Sequence, residues 1–338
     1  MPEPDPAGLS RLALGISNCR PADRVVEAIV AAERLGVRAA FIAEDVGCRD
    51  AFQLAALVAG ATSRIRLTVG VATPYLRSPD VLARAAATLE EIAPGRFTLG
   101  LGSSSRDIIE GQLGIDYDRP LVVMHSAILA MRGELSKVGA RPRVILAAMG
   151  PRMLRLAGEV ADGVLLNTGT TPDYVRWARA RVAEGCHRAG RDRLPLGLAV
   201  WIPAYTGDDL KAAFGRAGRW AATMLSVPDQ GELLLEHAGL DGGFLPELRT
   251  VCRAYPVRGD VDRGAALVPE SVVRRLALIG SPDEIGARLA EYFAAGVDTA
   301  ILAPGPLRAL TSILNPEAVP RWDDHADPSA GGRRTLDG

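Results

Sequence analysis

No apolar run in this chain reaches the ~20 residues that a membrane-spanning helix needs. The first residues, MPEPDPAGLSR, carry acids and prolines where an export signal has basic residues and an apolar stretch. The expectation is therefore a cytoplasmic protein. Cysteine is scarce: Cys19, Cys48, Cys186 and Cys252 are the four present, and no pair has Cys-x-x-Cys spacing. That argues against a zinc site or a redox motif and predicts four reduced thiols. The four histidines, His125, His187, His237 and His325, are scattered, without metal-ligand spacing and without His-Glu-x-x-His, so surface or structural roles are expected and no metal is predicted. A net charge of −1 offers no attraction to nucleic acid or to an anionic membrane. No Gly-x-Gly-x-x-Gly follows the first apolar run, and there is no Gly-x-Ser-x-Gly elbow and no internal repeat. An open dinucleotide-binding sheet, a serine hydrolase and a solenoid are each disfavoured.

What is present is a large apolar fraction, 48%, arranged in alternation. Short apolar runs at 12–17, 39–44, 65–73, 97–102, 144–149, 163–167, 196–203 and 299–303 read as buried strands. Between them lie amphipathic stretches at 23–35, 51–62, 79–92, 151–160, 172–188 and 283–294. In the first of these Val25, Val26, Ile29, Val30 and Ala32 share one side, and Gly36 follows as a C-cap. Pro79, Pro151, Pro172 and Pro282 sit at first-turn positions, where a missing N–H costs nothing. Eight strands with interleaved helices predict an α/β protein with a (β/α)8 barrel, a single domain over 1–322. The stretch 206–296 is too long for one connecting helix, so an extra helical pair is expected between the seventh and eighth strands. The polar segment 323–338 is expected to be disordered.

In such a barrel, function belongs at the C-terminal ends of the strands. Those positions are Ser17 and Asn18, Glu44 and Asp45, Gly70 to Thr73, Gly102 to Ser105, Ala148 to Gly150, and Asn167 to Gly169. Small residues there let a flat ring lie against backbone, and hydroxyls and amides can meet its carbonyls and ring nitrogens. Ordinary turns favour the same residue types. Glu44 and Asp45 are adjacent ionisable groups suited to acid–base work or to orienting a ligand, and Asp45 or Asp50 suits a helix N-cap equally well. Arg77, Arg106, Arg119 and Arg274 are possible partners for an anionic tail. Trp201, near the end of the seventh strand, is the tryptophan placed to face a substrate.

Two segments carry a resemblance. GVATPYLRSPDVLARAAATLEEIAPGRFTLGLG and AAMGPRMLRLAGEVADGVLLN together resemble the luciferase-like monooxygenase superfamily. The likeness is to the branch that holds methylenetetrahydromethanopterin reductase and other reductases dependent on coenzyme F420, a deazaflavin. The resemblance implies a (β/α)8 barrel, usually a homodimer, that moves a hydride between F420 and a small organic substrate, by reduction of a C=N or C=C bond. An FMN-dependent monooxygenase and a non-catalytic flavin-binding relative are the alternatives it leaves.

The resemblance also assigns residues. A non-prolyl cis bond would fall between Gly70 and Val71, backing the cofactor's central ring, with Ala72, Thr73, Gly102, Ser103 and Asn167 around it. Ala148, Met149 and Gly150 would meet cofactor phosphate at the start of a helix. Asp45 stands where many relatives have histidine, and with Glu44 it is a candidate to orient or supply a proton. Ser105 stands where relatives often have an acid, with Asp107 nearby. Relatives also insert a Gly-x-x-Phe segment after the fourth helix; here AILAMRGELSKVGARP runs straight into VILAAM, which implies an opened pocket wall.

Overall fold

The protein is described from a computed structural model, over residues 9–207, 209–253 and 258–303. The 323–338 segment and His325 lie outside the described residues. After a 3-10 turn at Leu9–Arg11, strand and helix alternate. The first half comprises β1 (Leu12–Ser17), α1 (Ala22–Arg34), β2 (Ala39–Ala43), α2 (Ala51–Ala61), β3 (Arg66–Ala72), α3 (Pro79–Ile92) and β4 (Phe97–Leu101). Then come α4 (Arg106–Ile109), α5 (Pro120–Lys137), β5 (Arg143–Ala147), α6 (Pro151–Val160), β6 (Gly163–Leu166), α7 (Pro172–Arg188) and β7 (Gly197–Tyr205). The chain continues through α8 (Leu210–Leu225), α9 (Gln230–Ala238), α10 (Leu245–Val251), β8 (Cys252–Arg253) and β9 (Arg258–Gly259). It ends, within the described residues, with α11 (Val261–Leu267), α12 (Glu270–Leu276), β10 (Leu278–Ile279), α13 (Pro282–Ala295) and β11 (Thr299–Ala303).

Eight parallel strands close on themselves in the order β1-β2-β3-β4-β5-β6-β7-β11, with β11 pairing back onto β1. This is the predicted (β/α)8 barrel, and each of the eight predicted strands is present. The strands are apolar on both faces because both are covered: one face packs on the helices, the other on the barrel interior. Helix starts follow the sequence signals. Pro79, Pro151, Pro172 and Pro282 each open a helix, behind Ser78, Gly150, Thr171 and Ser281. Among the described residues no helix is long and apolar enough to cross a membrane.

The insertion between β7 and β11 is larger than a helical pair. It holds α8 to α12, an antiparallel β8–β9 hairpin and β10, which adds to the edge of β7. Its helices bury a second apolar core that includes Ala217, Ala221, Leu234, Leu248 and Val272. Most are short, and Pro228, Gly239 and Pro269 punctuate them.

Residues 138–142, where the resemblance implied a missing segment and an opened pocket wall, join α5 to the N-terminal end of β5, at the barrel face opposite the strand C-termini. The segment that borders the mouth here is 102–119, which precedes α5.

Candidate active site

Inside the barrel, Ala13, Phe41, Ile145, Leu165, Ala199 and Ile301 form a closed apolar layer. Trp201, partly buried, packs against this layer. Its indole lies over Gly15, where a Cβ would collide with Trp201 Cζ3, and its ring meets Phe41 edge-on at 6.2 Å. Above this floor the inward positions are small: Ala43, Gly70, Val71, Gly102 and Ala147. The Gly70–Val71 peptide is cis, as the resemblance implied, and the β3–β4 register shifts between Val69 and Ala72. A Cβ on Gly102 would stand 2.6 Å from Val71 Cγ2 and 3.3 Å from Ala147 Cβ, so glycine is what keeps this surface flat.

Beside the flat surface, Asp45 is held by the loop after β1. Ser17 Oγ donates to Asp45 Oδ2 at 2.8 Å. Asn18, fully buried, accepts from the Asp45 N–H at 3.0 Å and donates to the Asp45 and Arg49 carbonyls at 3.2 and 2.5 Å. Arg49 returns a hydrogen bond to the Cys19 carbonyl at 2.8 Å. Cys19 and Cys48 are joined by a disulfide with Cα atoms 4.7 Å apart. This corrects the expectation of four reduced thiols. The two residues are 29 apart in sequence, and β1 pairing beside β2 brings them together. Cys186 and Cys252 are free and buried.

Glu44 has a different fate from Asp45. Arg77 Nη2 lies 2.5 Å from Glu44 Oε1 and 2.8 Å from Asp50 Oδ2, with the guanidinium 4.9 Å above the Phe52 ring. Burial pushes the Glu44 carboxyl above its usual range, and Arg77 opposes that rise. Asp50 also caps α2, accepting from the Phe52 and Gln53 N–H groups. Burial raises its pKa as well, but the Gln53 and Phe52 N–H groups and Arg77 outweigh it, and the net direction is down. Arg77 is thus committed to two carboxylates and is not a free anion partner. Arg106, Arg119 and Arg274 are paired too, with Glu110, Asp118 and Glu270.

Across the mouth, the 102–119 segment is ordered by tyrosines. The Tyr117 hydroxyl donates to the Ser104 carbonyl at 3.1 Å and lies 3.2 Å from Ser103 Oγ. Its ring packs on Tyr75 at 5.1 Å. Ser104 has φ +60°, the left-handed region. Ser105 caps α4, its Oγ accepting from the Ile108 N–H at 3.4 Å. Asp107 is exposed in the first turn of α4.

The turn from β5 to α6 is pinned from α7. Tyr174 donates to the Met149 carbonyl, and Tyr174 packs against Trp177 and His237. Burial pushes the Tyr174 phenol far above its usual pKa. Gly150 opens α6 with no side-chain cap, and a Cβ there would meet open space. Asn167 Nδ2 donates to Gln230 Oε1 at 3.3 Å, so the insertion reaches the end of β6. Met149 Sδ lies 3.4 Å from the Asn167 N–H.

Known proteins match this arrangement along most of the chain. The family model for luciferase-like monooxygenases matches residues 7–299. The chain belongs to the luciferase-like monooxygenase family. Within that family it is 30% identical over 299 residues to the 5,10-methylenetetrahydromethanopterin reductase of Methanolobus tindarius, covering 82% of this chain and 88% of that one. It is also 30% identical over 315 residues to the phthiodiolone/phenolphthiodiolone dimycocerosates ketoreductase of Mycobacterium tuberculosis, covering 84% and 81%. In fold it is similar to the coenzyme F420 dependent tetrahydromethanopterin reductase of Methanopyrus kandleri, with TM-score 0.78, 22% identity and coverage of 90% and 97%.

As a luciferase-like family member, the protein places its sequence-predicted site residues unequally. Gly70, Val71, Ala72, Thr73 and Gly102 lie at or beside the β3–β4 bulge, and Ala148, Met149, Gly150 and Asn167 cluster at the β5–α6 and β6–α7 turns. Asp45 is exposed at the mouth, whereas Glu44 is drawn into an ion cluster and Ser105 into a helix cap. Residues the sequence reasoning did not single out are Tyr75, Tyr117, Tyr174 and Gln230. The tyrosines leave no spacing signal, because each reaches its partner across a loop or between helices.

Proposed function

We propose that this protein is an oxidoreductase that moves a hydride between coenzyme F420 and a small organic substrate, by reduction of a C=N or C=C bond. The observation that carries the reading is the flat, small-residue surface at Ala43, Gly70, Val71, Gly102 and Ala147, set above an apolar floor and beside an uncapped helix start at Gly150. A planar tricyclic ring fits the first feature. A phosphate on the cofactor's tail fits the second, where the free N–H groups of α6 have no side-chain acceptor. Both sequence relatives are named as reductases, one of them a ketoreductase, which supports reduction as the reaction class.

In this reading Gly70, Val71, Ala72, Thr73, Gly102 and Ser103 hold the ring, Asn167 meets its edge, and Ala148, Met149 and Gly150 hold the phosphate. The deazaflavin, when bound, supplies or accepts the hydride. Asp45 is the acid–base residue, since it is exposed at the mouth and oriented by Ser17. Glu44 orients rather than transfers, because Arg77 holds it. Ser105 caps a helix and serves the fold of the 102–119 segment.

The working form proposed is a homodimer. Leu57 on α2, Val81 and Ile92 on α3, and Val122 and Leu129 on α5 are exposed on three neighbouring helices, and this is the face proposed to pair. Leu57→Glu is expected to give monomers in light scattering.

The functional test is equilibrium binding of F420 and FMN in parallel at one ionic strength. F420 bound about tenfold more tightly or better, a difference of about 1.4 kcal/mol, is expected. The reverse preference replaces this reading with an FMN-dependent monooxygenase. Binding of neither points to a non-catalytic relative.

A further inference from the structure

We propose that Cys19 and Cys48 form a reversible thiol–disulfide site whose closure fixes Asp45. The pair bridges the loops after β1 and β2, the two loops that carry Ser17, Asn18 and Asp45. Cys19 is two residues from Ser17, and its N–H donates to Ser17 Oγ at 3.2 Å, the same oxygen that holds Asp45. Arg49, next to Cys48, bonds to the Cys19 carbonyl and to Asn18. Bridge and hydrogen bonds thus span the same gap.

The chemistry of Asp45 differs between the two states. Cys19 Sγ stands 3.9 Å from Asp45 Oδ2. As a disulfide sulfur it has no proton to give, and Ser17 is the donor to that oxygen. As a thiol it becomes a second donor to the same carboxylate.

Two features point to reversibility rather than a permanent staple. A closed barrel with a large apolar core does not depend on one cross-link. Both bridged cysteines are half-buried, so a dithiol can reach them, whereas Cys186 and Cys252 are buried, with burial pushing both thiols up. Opening takes two electrons and two protons from a dithiol. Its thiolate attacks one sulfur and forms a mixed disulfide, and the other cysteine leaves as a thiolate and is protonated. The reagent's second thiol then displaces the remaining cysteine and is oxidised to a disulfide.

The test uses the full-length protein treated with diamide or with dithiothreitol. Alkylation after denaturation should label two cysteines in the oxidised form and four in the reduced one. Hydrogen exchange at 17–20 and 44–50 should be about tenfold faster after reduction, with the β5–α6 turn unchanged. The Cys19→Ser/Cys48→Ser variant should match the reduced form with or without dithiothreitol. Four labelled cysteines after diamide, or equal exchange in both forms, overturns the proposal. F420 affinity is expected to change less than about threefold on reduction, since Asp45 lies beside the ring surface and not under it, and this arm alone rests on the cofactor reading. If F420 binds neither form, that reading falls, while labelling and exchange still decide this one.

Discussion

Arg77 reaches Glu44 across 33 residues of sequence and holds it at 2.5 Å while also binding Asp50. Glu44 is only 12% exposed, so its charge depends on that contact. Arg77→Met should destabilise the fold by about 1–3 kcal/mol, below the figure for a fully buried pair because Arg77 is a quarter exposed. With Arg77 gone, burial lifts the Glu44 carboxyl further above 4.5. A carboxyl raised in the folded state contributes stability that is present below its unfolded value and lost as pH rises through its folded value. The variant's deficit should therefore be larger at pH 7 than at pH 4, read by urea unfolding at each pH.

Glu33 gives the opposite sign. Its carboxylate accepts from the backbone N–H groups of Ser63, Arg64 and Ile65, at the entry to β3. Burial raises its pKa, but those three donors outweigh it, and the net direction is down. Its contribution is present above pH 4.5 and lost as pH falls through the folded value. Glu33→Ala should cost about 1 kcal/mol at neutral pH and almost nothing in acid, measured by the same titration.

Tyr174→Phe removes one hydroxyl and keeps the ring. The Met149 carbonyl loses its phenol donor, which should cost about 1–2 kcal/mol of stability. If the turn at Met149 and Gly150 holds phosphate, F420 affinity should fall about fivefold while thermal unfolding stays cooperative. Because the phenol titrates well above its usual value, the difference should be flat with pH up to the working limit of the assay.

Asp45→Asn should separate chemistry from binding. If Asp45 is the proton-transfer group at the mouth, its loss should lower kcat about 10²–10⁴-fold. F420 affinity should change less than about threefold, because the proposed ring site is the β3–β4 surface. Ser17→Ala, which removes the donor to Asp45, should show a smaller loss in the same assay.

The barrel strands could be read directly because parallel strands covered on both faces are continuous apolar runs, and those at 97–101 and 163–166 stand out even without neighbours. The insertion could be read only as an extra helical pair: apart from α8, its helices of seven to nine residues, such as α9 and α12, carry too few turns for a clear period. At the site, Gly70, Gly102 and Gly150 were visible as glycines at strand and helix ends. The pairing of Arg77 with Glu44 and of Cys19 with Cys48 was not, since each depends on β1, β2 and β3 lying side by side, which no local pattern encodes. Ser105 shows the converse, a residue read by family position whose local role, a helix cap, follows from its own spacing to Ile108.

The apolar layer of Ala13, Phe41, Ile145, Leu165, Ala199 and Ile301, with the indole over Gly15 packed on it, closes the barrel interior below the mouth. A vessel with a single opening imposes a queue. If two flat reactants stack inside it, the deeper one enters first and leaves last. Product-inhibition kinetics of this enzyme should then follow a compulsory order.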